Sequence, residues 1–216
     1  MLEHNVNPNA LHNRGRTPLA LTIRWNIPEN AKLLLGAGAN PNQAHKFKNS
    51  PLYLAIRGEN SLELIQLLAE NGADLLARDT DGTTALHIAA WRDKRPEVEY
   101  LVSRGLDVNR KTESHFTALH AACSKGSIDT VKWLLEKNSN VNMTGGQHGS
   151  ALCAAVESEK DAEEKVRLLL EKGAHVNFVE ENEPTALQRA TSRASTTLTN
   201  LLLNKGANVN LTGGDL

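Results

Sequence analysis

Small and apolar residues recur along this chain at helical spacing, in short blocks separated by polar connectors, and the blocks repeat one another. The clearest block runs Thr117-Ala118-Leu119-His120-Ala121-Ala122-Cys123, continues through Val131-Lys132-Trp133-Leu134-Leu135 and closes at Asn138. Thr84-Ala85-Leu86-His87-Ile88-Ala89-Ala90 repeats its opening, and looser copies open at Thr17, Ser50, Ser150 and Thr185. Each opener is a residue type suited to an N-cap, and the ~10 residues after it have helical periodicity. A second amphipathic stretch follows, as in Val166-Arg167-Leu168-Leu169-Leu170-Glu171-Lys172, and ends at a glycine suited to a left-handed C-cap. Asn138 holds the glycine position in the fourth copy, and asparagine tolerates the same conformation.

The openers stand at 17, 50, 84, 117, 150 and 185, with steps of 33, 34, 33, 33 and 35. From Gly38, Gly72, Gly105, Asn138 and Gly173 to the next opener is always 12 residues, so the slack falls inside copies, near Gly58 to Ser61 and Glu157 to Glu163. A connector of fixed length implies a turn that stacks on its neighbours, whereas an insertion between helices can bulge into solvent. The inward positions predict a core of Leu19, Leu34 and Leu35; Leu52, Ile65 and Leu68; Leu86, Val98 and Leu101; Leu119, Val131 and Leu134; Leu152, Val166 and Leu169; and Leu187, Leu198 and Leu202, with Trp133 beside them. Each copy would bury its face on the next.

Period and wording together resemble the ankyrin repeat over nearly the whole chain: Thr-(Pro/Ala)-Leu, the Ala-Ala or Ala-Cys pair, Leu-Leu and Gly-Ala-x-Val-Asn recur in one register. Ala20, Tyr53, Cys153 and Gln188 depart from the motif histidine. The resemblance implies an all-α solenoid of stacked antiparallel helix pairs with β-hairpin-like fingers. Residues 1–216 then form a single array, with a partial repeat over 1–16 and helix pairs starting near 17, 50, 84, 117, 150 and 185. Because Val6-Asn7-Pro8-Asn9 aligns with Ala39-Asn40-Pro41-Asn42, and Val209-Asn210-Leu211-Thr212-Gly213-Gly214 echoes Val141 to Gly146, a segment of a longer array is expected. Ser195, Thr196, Thr197, Thr199 and Asn200 give copy six a partly polar outer face, as the end of an array requires.

Composition changes the picture little. The 216 residues are 40% hydrophobic and 23% charged, with a net charge of −1. That balance supplies no overall field for nucleic acid or an anionic membrane. No apolar run approaches the ~20 residues of a membrane span and no secretion signal opens the chain. With two cysteines and no Cys-x-x-Cys, a reducing compartment is expected: the cytoplasm, with the nucleus also open to it. A monomer is expected.

Candidate chemistry yields to the repeat. His87 and His120 occupy the position where the resemblance implies a structural hydrogen bond near the opening threonine. His12 and His45, and likewise His115 and His148, recur at equivalent places in adjacent copies, too far apart for a shared metal. Cys123 and Cys153 fall in helix interiors, where a thiol without a basic neighbour is inert. Thr144-Gly145-Gly146-Gln147-His148-Gly149 matches no phosphate loop, and the acidic run Glu157, Glu159, Asp161, Glu163 and Glu164 reads as a solvated helix face. The expectation is therefore no catalysis, no metal and no cofactor.

The resemblance places binding at the finger tips and the exposed ends of the first helices. Those slots contain Arg14, Arg16, Arg24 and Trp25 in copy one, Phe47 and Arg57 in copy two, Trp91 and Arg92 in copy three, and Phe116 and Lys125 in copy four. Gln147, Glu157, Ser192 and Arg193 fill the later slots. Aromatic and arginine side chains are the usual anchors of protein interfaces. A non-catalytic module for a protein or peptide partner, of acidic or mixed character, is expected; a spacer or intramolecular regulator of a larger protein is the alternative.

Overall fold

In the computed structural model, residues 7–13, 15–44, 50–59, 61–79, 82–114, 116–180, 183–211 and 213 are described. Among them are twelve helices: α1 (Pro18–Arg24), α2 (Pro28–Gly36), α3 (Pro51–Arg57), α4 (Leu62–Glu70), α5 (Ala85–Trp91), α6 (Arg95–Ser103), α7 (Ala118–Lys125), α8 (Ile128–Glu136), α9 (Ala151–Val156), α10 (Ala162–Glu171), α11 (Ala186–Ser192) and α12 (Thr196–Asn204). No sheet occurs among the described residues; three isolated antiparallel bridges, Arg78 with Thr84, Thr144 with Ser150 and Glu180 with Glu183, mark the fingers.

The chain divides into two compact units, Met1–Ala85 with Pro96–Leu106, and Leu86–Arg95 with Asp107–Leu216. In the first, α1 packs on α2 and α3, α3 on α4, and α2 on α4. In the second the same scheme runs through α7 to α12, first helix against first helix and second against second. The expected core is buried, except that Leu34 and Leu187 are only half-buried. Trp133 is buried too, at 9% exposure.

The openers cap as their chemistry dictates. Thr17, Ser50, Ser150 and Thr185 accept from the amides of Ala20, Tyr53, Cys153 and Gln188. In α7 the Thr117 amide donates to His120 Nδ1 at 3.3 Å and Thr117 Oγ1 stands 2.9 Å from the same nitrogen. That leaves the imidazole proton on Nε2. In the equivalent residue, His87, Nε2 lies 2.9 Å from the Arg110 carbonyl and donates to it. His120 Nε2 faces the Met143 carbonyl, at the same place in its repeat, without closing a bond of ordinary geometry. Burial, with Lys111 and His148 near, pushes the His120 pKa down to about 4.

The second helix of each copy ends as expected, on a residue in the left-handed region: Gly38, Gly72, Gly105, Gly173 and Gly206 have φ between +83° and +90°, and Asn138 has +63°. The asparagines that follow clasp these turns across copies. Asn142 Nδ2 donates to the Gly173 carbonyl (2.9 Å) while its Oδ1 accepts from the His175 amide (2.9 Å). Asn9, Asn42, Asn109 and Asn177 make the same pair of bonds to Gly38 and Asn40, Gly72 and Asp74, Asn138 and Asn140, and Gly206 and Asn208. The residue two before the clasp closes a local turn, as when Asn140 Oδ1 accepts from the Asn142 amide at 3.0 Å. Leu76 holds the clasp position in its copy. It has no side-chain amide to offer, and it is 54% exposed.

Replacing Asn142 by Ala removes two bonds to backbone groups and should lower unfolding free energy by about 1 kcal/mol, whereas Leu76→Asn should leave it unchanged or raise it by a similar amount. Urea titration of the full chain reads both, and a neutral Asn142→Ala would refute the clasp. A second prediction concerns acid. The folded pKa of His120, about 4, lies below the free value of 6.5, so between those pH values the unfolded chain holds a proton that the folded chain lacks. Stability should therefore fall as pH drops from 6.5 towards 4, by roughly 2–4 kcal/mol from this residue. His120→Gln should flatten that part of a stability–pH profile.

Candidate functional site

The aromatic slots of the second unit surround a hollow of about 270 Å³, bounded by the end of α5, one face of α7 and the fingers before α7 and α9. Trp91 ends α5 with its side chain 49% exposed, and the Arg92 guanidinium stands 5.9 Å from the centre of its ring. Phe116, half-buried, meets His87 edge to face at 5.3 Å and 79°, and the His87 bond to Arg110 fixes that pair. The inner wall is the Ala121 methyl with Ser124 at its edge, and the floor is the backbone of Gly145 and Gly146.

The floor is built by close approach. Gly146 (φ +74°) donates its amide to the Ser114 carbonyl at 2.7 Å, and a Cβ added there would stand 2.7 Å from Phe116 Cβ. Only glycine lets the second finger lie against Phe116. Lys111 Nζ ties the fingers again, donating to the Thr144 carbonyl at 2.8 Å.

The remaining wall is His148, whose Nδ1 lies 3.0 Å from Glu157 Oε2. Glu157 also pairs with Arg189, which pairs in turn with Glu183 and donates from Nε to the Pro184 carbonyl at 3.0 Å. Arg189 is only 8% exposed; burial works against its charge, and the two carboxylates outweigh it, raising its pKa. Burial lowers the pKa of His148, with Glu157 opposing. Arg193 adds two bonds to the carbonyls of Glu157 and Ser158, so this later slot is occupied by the chain itself.

Among the slots predicted from sequence, the structure brings Trp91, Phe116 and Gln147 onto one hollow. Arg92 covers Trp91, and Lys125 pairs with Glu159 at 3.1 Å on the open surface. In the first unit Trp25 is 71% exposed, Arg24 is exposed and Arg16 half-buried. Arg57 is exposed, donates to the Tyr53 hydroxyl (2.8 Å) and lies over that ring. Arg14 and Phe47 fall outside the described residues.

The acidic run is exposed at Glu159, Asp161, Glu163 and Glu164, as a solvated face should be, and Glu157 is its one half-buried member. Glu159 and Glu164 pair with Lys125 and Lys132 of the preceding copy, Asp161 accepts from the Ile128 amide, and Glu157 is held as above. Charge counting missed Lys165 altogether. It is fully buried and donates to the carbonyls of Cys123 and Gly126 and to Ser158 Oγ, with burial lowering its pKa. Asp93, its pKa lowered by bonds from Ser127 and Thr130 against the effect of burial, is likewise a cross-copy cap on α8. Cys123 does have a basic neighbour in Lys165, yet burial pushes its thiol up to about 12, and Cys153 is also raised. Neither is a thiolate at neutral pH. Among the described residues no three histidine, cysteine or carboxylate side chains stand together as a metal site would need, and no helix is long and apolar enough to cross a membrane.

A search of curated protein sequences finds no match. Among solved structures, the ankyrin repeat domain of Bcl-3, described as a unique member of the IkappaB protein family, is 27% identical with a TM-score of 0.75, covering 93% of this chain and 91% of that one. The family described as "Ankyrin repeats (3 copies)" matches at residues 27–112, 52–145 and 105–180, so that its matches together run from 27 to 180. With that span, the repeated caps and the all-α stacking of helix pairs, the chain belongs to the ankyrin-repeat family as an all-α repeat solenoid.

Proposed function

We propose that this chain is a non-catalytic interaction module that uses residues 1–216 as one array and binds a protein or peptide through its finger tips and the exposed ends of its first helices. Ankyrin repeats generally serve as protein-interaction modules. The observation that carries the reading here is Trp91. An indole half open to solvent beside a hollow walled by Phe116 costs free energy unless something covers it. Arg92 lies over its ring, so a segment of acidic character fits, and in the first unit Trp25 with Arg24 and Arg16 offers the same residue types. Partner binding as a monomer, in the cytoplasm or nucleus, accords with two free buried thiols that need no oxidising compartment.

The reading is tested by affinity capture from cell extract with the wild type and with the Trp91→Ala/Arg92→Ala double variant. Specific partners should be lost from the variant, with affinity for any one of them falling at least about tenfold. Its melting temperature should stay within about 2 °C, since both side chains are exposed. An identical capture profile from the two proteins would refute the placement.

A further inference from the structure

We infer that His120 is a proton-operated latch on the interaction surface beside Trp91: when its second ring nitrogen takes a proton, the cap of α7 opens and the two fingers that build the hollow part. The inference concerns regulation of the surface proposed above and rests on that reading.

The latch is a matter of donors and acceptors. The His120 ring, only 5% exposed, links the start of α7 to the finger before α9: Nδ1 accepts from the Thr117 amide at 3.3 Å, and Nε2 faces the Met143 carbonyl. Nδ1 can hold that amide only while it carries no proton. Once protonated, it is a donor aimed at a donor. The Thr117 hydroxyl, 2.9 Å away, can still accept from it, but the buried Thr117 amide is left unpaired, and turning the ring out of the cap relieves both groups. Copy six supplies the comparison. There Gln188 holds the same place, and its Oε1 accepts from the Thr185 amide at 2.8 Å. A side-chain amide does not titrate, so that cap is indifferent to acid.

The hollow hangs on the same few bonds. Phe116 directly precedes Thr117, its carbonyl accepts from the Thr112 amide at 3.0 Å, and the Gly146 amide reaches across to the Ser114 carbonyl at 2.7 Å. Freeing Thr117 therefore loosens Phe116 and the bond between the fingers together. The surroundings set the pH at which this happens. Burial, Lys111 from the finger before α7, His148 from the finger before α9 and His87 from α5 all oppose a proton on His120, and the Met143 carbonyl favours one. Glu157 and Glu183 act on His148, with Arg189 opposing them, and Glu113 on the finger before α7 is exposed. The closed form thus resists protonation down to about pH 4, while an opened ring takes its proton near the free value of 6.5. The open population grows as pH falls through 6.5 and stops growing near 4.

The test is hydrogen exchange of the full chain at pH 7, 5.5 and 4.5, read by 15N-correlation NMR as protection relative to the unfolded rate at each pH. Protection of the Thr117 and Gly146 amides should fall by roughly 30- to 100-fold from the highest pH to the lowest, the scale of one linked proton. The Thr185 amide, held by Gln188, should change by less than about threefold. His120→Gln, which copies the cap of copy six, should abolish the fall. Because a local opening exposes little surface, about 0.5 M urea should leave wild-type exchange at both amides unchanged. The latch is overturned by unchanged protection in acid, by an equal fall at Thr185, by a fall that survives in folded His120→Gln, or by a urea dependence equal to that of global unfolding. Should His120→Gln not fold, the comparison with Thr185 in the wild type decides. The interaction reading fails separately, if capture at neutral pH does not depend on Trp91 and Arg92.

Discussion

The clasp between an asparagine side chain and the left-handed turn of the next copy is the contact that the rest of the array depends on. A left-handed residue at the helix end turns its carbonyl outward, and the amide of an asparagine 29 to 31 residues earlier is the group that satisfies it, while the same side chain accepts the backbone amide two residues on. Both partners sit at the start of a connector, the asparagine four residues after the left-handed residue of its own copy, so the clasp fixes that spacing in every copy that makes it, the copy with Leu76 excepted. One residue more between the left-handed residue and the asparagine would carry the asparagine out of reach. The clasp fixes the fingers, and the fingers bring Phe116 over Gly146.

A second layer of order comes from charges placed where the repeat has no fixed residue. Lys165 reaches from α10 to the carbonyls at the end of α7, Asp93 caps α8, and Arg189 reaches back to Glu157. Such buried groups contribute little net stability by charge alone, because desolvation opposes them, but removing one partner leaves a buried polar group unpaired. They make the second unit more closely cross-linked than apolar packing would, and the wall of the hollow is one result.

How much of this was legible in the sequence follows from how local each interaction is. The caps, the left-handed Asn138, the buried leucines and Trp133 could be read because each is set by residues within a turn or by the period itself. Leu34 and Leu187 kept the pattern but only half its burial. The slots put Trp91 and Trp25 at the ends of first helices, but only the structure shows that both are exposed there. The exposure of the acidic run was legible but its partners were not, because Lys125, Lys132 and Arg189 lie a repeat away and no local pattern says that a carboxylate will find them. Lys165 was invisible for the same reason: a lysine on an amphipathic helix looks solvated unless the carbonyls beneath it are known. The paired glycines of the fifth finger were a usable signal, since close backbone approach needs them, and they mark the floor of the hollow.

The account divides the residues into those that hold the array together and those free to bind, and this division is its central claim. It is tested most directly by an alanine scan of the full chain, read in parallel for resistance to proteolysis in urea and for binding to one captured partner. Changes at the clasp asparagines and the opening Thr or Ser residues should lower stability, while changes at Trp91 and Arg92 should lower binding with stability preserved. The account is contradicted if the two sets of effects coincide, so that binding falls only where the fold is weakened.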